Sequence, residues 1–163
     1  MGGAAKLAGQ TVNPIRILFV CTGNRARSQM GEGWGRHLAP EGVEVLSAGT
    51  KPNPKGVHKR AVEAMRERGA DISQQHTKSL SDVPGEFDYV ITVCAEADAA
   101  CPVLPARIQR LRWHLPDPDQ AGAKEEEERA VFRQIRDELE RRVRALYADP
   151  EFQRALGAAR SAR

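Results

Sequence analysis

The feature that most narrows the folds open to this chain is an apolar run that ends in a tight polar loop. Ile15-Arg16-Ile17-Leu18-Phe19-Val20 is followed at once by Cys21-Thr22-Gly23-Asn24-Arg25-Ala26-Arg27-Ser28. The run has the β-branched and aromatic content of a buried strand. Gly23 and Asn24 tolerate positive φ, so the chain turns there. Ser28 opens a helix whose inner face reads Met30, Trp34 and Leu38. Strand, tight loop and helix in direct succession is the unit from which α/β folds with parallel sheets are built.

The alternation continues along the chain. Val43 to Leu46 reads as a second strand that ends at Ser47-Ala48-Gly49-Thr50, and a proline-rich turn then leads into a helix stopped by Gly69. Phe87 to Val93 is a third strand after a Pro-Gly turn, and the segment 106–115 holds a fourth despite its arginines. A long helix runs from Lys124 to Tyr147, with Phe132, Ile135, Leu139, Val143 and Leu146 spaced by three and four on one face. Its Glu-rich start and Arg-rich end complement the helix dipole, so these charge runs read as a solvated face. The expected architecture is α/β: a single domain over residues 14–150, with a four-stranded, mostly parallel sheet flanked by helices. A flexible arm is expected over residues 1–13, and a tail over 151–163 that adds a helical turn or two and then frays.

Length and charge exclude several functions. A chain of 163 residues makes one domain with a proper core. Its 25 basic and 22 acidic residues leave a net charge of +3, and no basic block is interleaved with aromatics, so nucleic acid is not an expected partner. No apolar stretch approaches the ~20 residues of a membrane span, and the first fourteen residues are too polar for a signal-peptide core. A cytoplasmic monomer is expected. Three cysteines without such a signal argue against a structural disulfide framework.

The loop at residues 21–28 carries chemistry. Backbone N–H groups from Thr22 to Ser28 would point inward, and the helix N-terminus adds partial positive charge, which makes a cradle for a tetrahedral oxyanion. Arg27 can close it with a bidentate fork, and Arg25 adds positive potential at the mouth. Cys21, at the floor, is expected to have its thiol pKa depressed by this field and to act as a nucleophile. Cys94 stands at the end of the third strand, and Cys101 follows after six residues. That spacing is poor for zinc; the alternatives are two inert buried cysteines or, as the functional reading, a thiol relay. Asp117, in a Pro-Asp-Pro turn, can hang a general acid over the cradle, with Asp119 as the competing candidate. His37, His58, His76 and His114 show no pairing that demands catalysis.

Together these segments, from FVCTGNRARSQMGEGW through SAGT, ADIS and VCAEADAACP to LPDPDQA, closely resemble the thioredoxin-coupled arsenate reductases. That family shares the fold of the low-molecular-weight protein tyrosine phosphatases, and the resemblance covers about residues 15 to 147. It implies that Cys21 attacks arsenate held by the loop amides and Arg27, for which phosphate or sulfate would be mimics. Asp117 would protonate the departing oxygen, and Ser28 would support the thiolate. Cys94 would then attack Cys21 and release arsenite, and Cys101 would attack Cys94. The resulting disulfide would be handed to thioredoxin, with no bound cofactor or metal. The 94–101 segment would have to rearrange, and its composition suits a short helix that unwinds.

Two departures from the family stand out. Ala26 occupies a position where members often carry a further cysteine, and Arg25 replaces a small polar residue. Some members also bind potassium beside the loop; Asn24, Glu32 and Ser47 match three of its ligands, but no aspartate matches the fourth. The ammonium of Lys78 is expected there instead, orienting Asn24 through Glu32. Phosphatase activity through Cys21, Arg27 and Asp117 is the main alternative, although the aromatic pair usual after the Asp-Pro of tyrosine phosphatases is absent. A glutaredoxin-type reductant, or an oxyanion-binding module without turnover, are further alternatives.

Overall fold

The computed structural model describes residues 13–100, 104–119 and 124–161. Its elements run β1 (Ile15–Cys21), α1 (Arg27–His37), β2 (Val43–Gly49), α2 (Lys59–Glu67), a single 3₁₀ turn (Leu80–Asp82), β3 (Phe87–Thr92), α3 (Ala95–Ala100), β4 (Ala106–Arg112), α4 (Glu125–Ala148) and α5 (Pro150–Ser161). The arm expected over residues 1–13 lies outside the described residues except for Asn13, and so does Cys101. No described helix is long and apolar enough to cross a membrane.

The four strands form one sheet in the order β2-β1-β3-β4, and every neighbouring pair is parallel. The chain passes from β1 to β2 on one side, then returns to place β3 on the other. Connections leaving β1 therefore diverge from those of β3, and a crevice opens at the carboxyl ends of these two central strands. β1 and β3 are apolar along almost their whole length and are buried, as strands covered on both faces must be. β2 extends three residues past the Leu46 where the sequence suggested an end, because Ser47, Ala48 and Gly49 continue the ladder opposite Phe19, Val20 and Cys21. β4 tolerates its arginines because it is an edge strand with alternating exposure; Arg107 reaches Glu86 and Arg112 reaches Asp98.

All five apolar positions expected on α4 are buried, and α4 packs against α1 and α2. α1 lies so close to the sheet that a Cβ on Gly31 would sit 2.6 Å from the Phe19 ring. The tail expectation is corrected: residues 150–161 are a full helix rather than a turn or two. Phe152 and Leu156, one helical turn apart, are buried, and the Phe152 ring packs 5.6 Å from Tyr89 and 5.1 Å from Tyr147. Burying two such side chains contributes about 3–6 kcal/mol, enough to hold a helix that local propensity alone would let fray.

Candidate active site

In the loop at residues 21–28, the six carbonyls from Cys21 to Ala26 have partners outside it. The carbonyls of Cys21, Thr22 and Gly23 accept the backbone N–H groups of Thr50, Lys51 and Asn53 at 3.0, 2.9 and 3.0 Å. Asn24 O accepts Gln29 Nε2 at 3.0 Å, Arg25 O accepts His58 N at 2.9 Å, and Ala26 O accepts Met30 N at 2.8 Å. With these carbonyls engaged elsewhere, the backbone N–H groups of Asn24 and Ser28 turn to Cys21 Sγ inside the loop. Asn24 makes the reversal at φ 55°, in the left-handed region that asparagine tolerates. Gly49 permits the loop to fold over the strand end, since a Cβ there would lie 2.5 Å from Thr22 O. Ala26, the α1 cap residue, offers no side-chain acceptor, so the first turn of α1 adds uncapped N–H donors to the same concavity. Such a ring of donors suits a tetrahedral oxyanion.

Cys21 lies at the floor, 3 % exposed. Its Sγ accepts the Asn24 N–H at 3.1 Å and stands 2.8 Å from Ser28 Oγ. The expected depression of its thiol pKa is corrected: burial pushes the thiol up, and this outweighs the lowering by the Ser28 hydroxyl and the amides of Ser28 and Asn24. The nearby Cys94 adds to the rise. Ser28 lies one residue inside α1, whose cap position is Ala26, and its hydroxyl is committed to sulfur. The surrounding network fixes the direction of that bond. Asn24 Oδ1 accepts Lys78 N at 2.8 Å and Gln29 Nε2 at 3.0 Å, so the Asn24 Nδ2 end donates to Ser28 Oγ at 2.7 Å and to Ser47 Oγ at 3.1 Å. The Ser28 hydroxyl, already an acceptor, therefore has its proton available for Cys21.

Behind this network lies a buried carboxylate. Ser47 Oγ donates to Glu32 Oε1 at 2.5 Å, Lys78 Nζ lies 3.5 Å from the same oxygen, and Arg36 Nη2 pairs with Oε2 at 2.7 Å. The structure thus brings Asn24, Glu32, Ser47 and Lys78 together. Gln29 was not singled out from sequence, although two polar residues three apart, Gln29 and Glu32, interrupt the apolar face of α1 and both are buried. That interruption is the signal that could have found them.

Cys94 follows β3 and is buried as a free thiol, like Cys21. Thr22 Oγ1 stands 3.6 Å from its Sγ, so the loop and the second thiol meet across the β1–β3 crevice. α3, which begins at the next residue, is held by Asp98: Thr92 Oγ1 and Arg110 Nη2 reach its Oδ1 at 3.3 and 3.4 Å, and Arg112 Nε reaches Oδ2 at 2.7 Å. The short helix expected before Cys101 is present.

The mouth of the loop is lined by Arg25, Arg27, His58, Asp117 and Asp119. Arg27 Nη1 donates to Leu115 O at 2.9 Å, so its guanidinium is tied to the Asp117 loop. Arg25 does not point into solvent: Nε donates to Gly56 O at 2.8 Å and Nη1 meets Asp119 Oδ2 at 3.3 Å. His58, unassigned from sequence, lies 3.6 Å from Asp119 Oδ1 through Nε2. Burial lowers the pKa of His58 despite this carboxylate. His58, Asp119 and Glu128 bring one ligand atom each within 4.8 Å of one another, the one such group among the described residues. Arg25 on Asp119 and Arg60 on Glu128 already neutralise its carboxylates, which disfavours a metal ion there.

Comparison with known proteins places this geometry in a family. The family model for low molecular weight phosphotyrosine protein phosphatase matches residues 16–156. A protein of Halalkalibacterium halodurans called arsenate reductase is 41% identical over 134 residues, which is 82% of this chain and 95% of that one. A solved structure of an arsenate reductase in the phosphate-binding state is 32% identical with a TM-score of 0.65, covering 82% of this chain and 96% of that one. A thioredoxin-dependent arsenate reductase of Corynebacterium glutamicum is 29% identical with a TM-score of 0.67, covering 94% of this chain and 68% of that one. The match of the family model from Arg16 to Leu156, over a four-stranded parallel sheet with a cysteine-bearing loop between β1 and α1, means that this chain belongs to the low molecular weight phosphotyrosine protein phosphatase family.

Proposed function

We propose that this protein reduces arsenate to arsenite through a relay of Cys21, Cys94 and Cys101, and that thioredoxin returns it to the reduced state in the cytoplasm. The observation that carries the reading is the second buried thiol, Cys94, beside the anion loop, where hydrolysis of a phosphoester would need none. The relatives called arsenate reductase support the same substrate.

Arsenate enters the ring of N–H donors from Thr22 to Ser28, and Arg27, its Nη1 held by Leu115 O, offers its remaining guanidinium N–H groups to the oxygens. The Cys21 thiolate forms a bond to arsenic, and Asp117 gives its proton to the oxygen that leaves as water. Ser28 holds the thiolate, and the chain Lys78, Glu32, Ser47, Asn24 holds Ser28. Cys94 then attacks Cys21 Sγ; the sulfur–arsenic bond breaks with its electron pair on arsenic, arsenite departs, and a Cys21–Cys94 disulfide remains. Cys101 attacks Cys94 and frees Cys21, and a dithiol partner reduces the Cys94–Cys101 disulfide. Unwinding of α3 brings the last pair together.

The test is arsenate-dependent NADPH oxidation with thioredoxin and thioredoxin reductase, run beside Cys94→Ser and Cys101→Ser. Sustained turnover in the parent and its loss in both variants is expected. A second reading, phosphomonoester hydrolysis, draws on Cys21, Arg27 and Asp117 alone; hydrolysis of p-nitrophenyl phosphate with no arsenate turnover, unchanged in both variants, would replace the first.

A further inference from the structure

We propose that Asp119 is a positioning residue for Asp117, moored by Arg25 and His58 so that the acid is held over the anion loop. This rests on the reading above, in which Asp117 protonates the departing oxygen. The Asp119 backbone N–H donates to Asp117 Oδ1 at 3.0 Å, so the place of Asp119 directs the Asp117 carboxyl. The Asp119 carboxylate, half exposed, has a partner facing each oxygen: Arg25 Nη1 reaches Oδ2 at 3.3 Å, and His58 Nε2 lies 3.6 Å from Oδ1.

Both anchors are themselves fixed. The backbone N–H of Arg60 donates to His58 Nδ1 at 3.1 Å, which puts the proton of the neutral imidazole on Nε2, facing Asp119. Arg25 is held through Nε by Gly56 O at 2.8 Å, and its carbonyl accepts His58 N at 2.9 Å. Arg25 belongs to the loop in which sulfur attacks, so the acid is registered against the nucleophile's own backbone. Pro116 and Pro118 restrict φ on either side of Asp117, and the carboxyl's place then depends on where the two ends of the turn are tied. One end is Leu115 O, held by Arg27; the other is Asp119. With its carboxylate turned toward Arg25 and His58, Asp119 serves as the tether and Asp117 as the acid.

In the step concerned, Cys21 Sγ bonds to the central atom, the bond to the departing oxygen breaks with its electron pair on that oxygen, and the Asp117 proton goes to it. The need for that proton grows with the basicity of the leaving group. The experiment therefore compares kcat/KM for phenyl phosphate and 2,4-dinitrophenyl phosphate in the parent, Asp119→Ala, Asp117→Asn and the double variant. Asp119→Ala is expected to lose about tenfold more on the phenyl ester than on the dinitrophenyl ester, part of the full general-acid factor. In the Asp117→Asn background the same change is expected to cost less than about twofold. Arg25→Ser is expected to reproduce the leaving-group bias. Equal losses on both esters, additivity with Asp117→Asn, or no hydrolysis of either ester by the parent would overturn the proposal. Arsenate turnover measured on the same samples separates the two claims: its absence beside a non-additive cycle removes the reductase reading and leaves the tether standing.

Discussion

Removing the Ser28 hydroxyl isolates the group that most directly opposes the burial of Cys21. The hydroxyl stands 2.8 Å from Sγ, and Asn24 Nδ2 occupies its acceptor side at 2.7 Å, so its proton is aimed at sulfur. A hydrogen bond to a charged group contributes about 1.5–3 kcal/mol, and the thiolate gains it where the thiol gains little. Ser28→Ala should therefore push the Cys21 thiol further up. Since about 1.4 kcal/mol is a tenfold change in an equilibrium, the thiolate present at pH 7 should fall about ten- to hundredfold. The assay is the rate of Cys21 carboxamidomethylation by iodoacetamide from pH 6 to 10 in anion-free buffer, followed by peptide mapping so that Cys94 is scored separately. The expected result is a loss of that size at pH 7 that stays nearly constant while both thiols are protonated and begins to narrow only at the alkaline end, where the parent thiol ionises first. Equal rates at pH 7 would refute the assignment of Ser28 to the thiolate.

Three further outcomes follow from other parts of the molecule. Phe152→Ala should lower stability by about 3–5 kcal/mol in urea titration, because α5 is part of the core; a change within about 0.5 kcal/mol would mean that the helix is an appendage. Glu67 is held at about 2, below its ordinary 4.5, chiefly by the Arg133 hydrogen bond and then by Arg136. That depressed carboxyl stabilises the fold above pH 4.5, and the contribution is lost as pH falls toward 2. Glu67 is exposed enough to be screened, so Glu67→Gln should cost less than about 1 kcal/mol at pH 7 and only a small part of that at pH 2, read from urea midpoints at the two pH values. Because Lys78 Nζ already faces Glu32, turnover should be the same in potassium and sodium chloride at equal ionic strength, whereas Lys78→Met should be slower in both; marked potassium activation of the parent would contradict this role.

What was legible from sequence was what is written in local periodicity. The strand-loop-helix at Ile15 to Ser28 and the α4 face from Phe132 to Leu146 needed only spacing and residue type, and both are present. α5 is longer than the turn or two expected because the partners that hold Phe152 are Tyr89 and Tyr147, invisible to a local window. The direction of the Cys21 shift differs from the expectation for a related reason. Helix dipole and loop amides can be read from order along the chain, but the depth of burial that opposes them depends on how α1 and the sheet close over the sulfur. The His58–Asp119 contact joins segments far apart in sequence and left no motif. The grouping of Asn24, Glu32, Ser47 and Lys78 was legible only through resemblance, since their common ground is a buried carboxylate that periodicity does not report.

The central claim is that Cys94 takes Cys21 as its target after arsenate has been attacked. Cys101→Ser stops the proposed relay at that point, so the reduced variant should be incubated with arsenate without any reductant and digested under non-reducing conditions for mass spectrometry. A Cys21–Cys94 disulfide with one arsenite released per chain is the predicted result. Both thiols recovered free, or arsenite released with Cys94 still alkylatable, would contradict it.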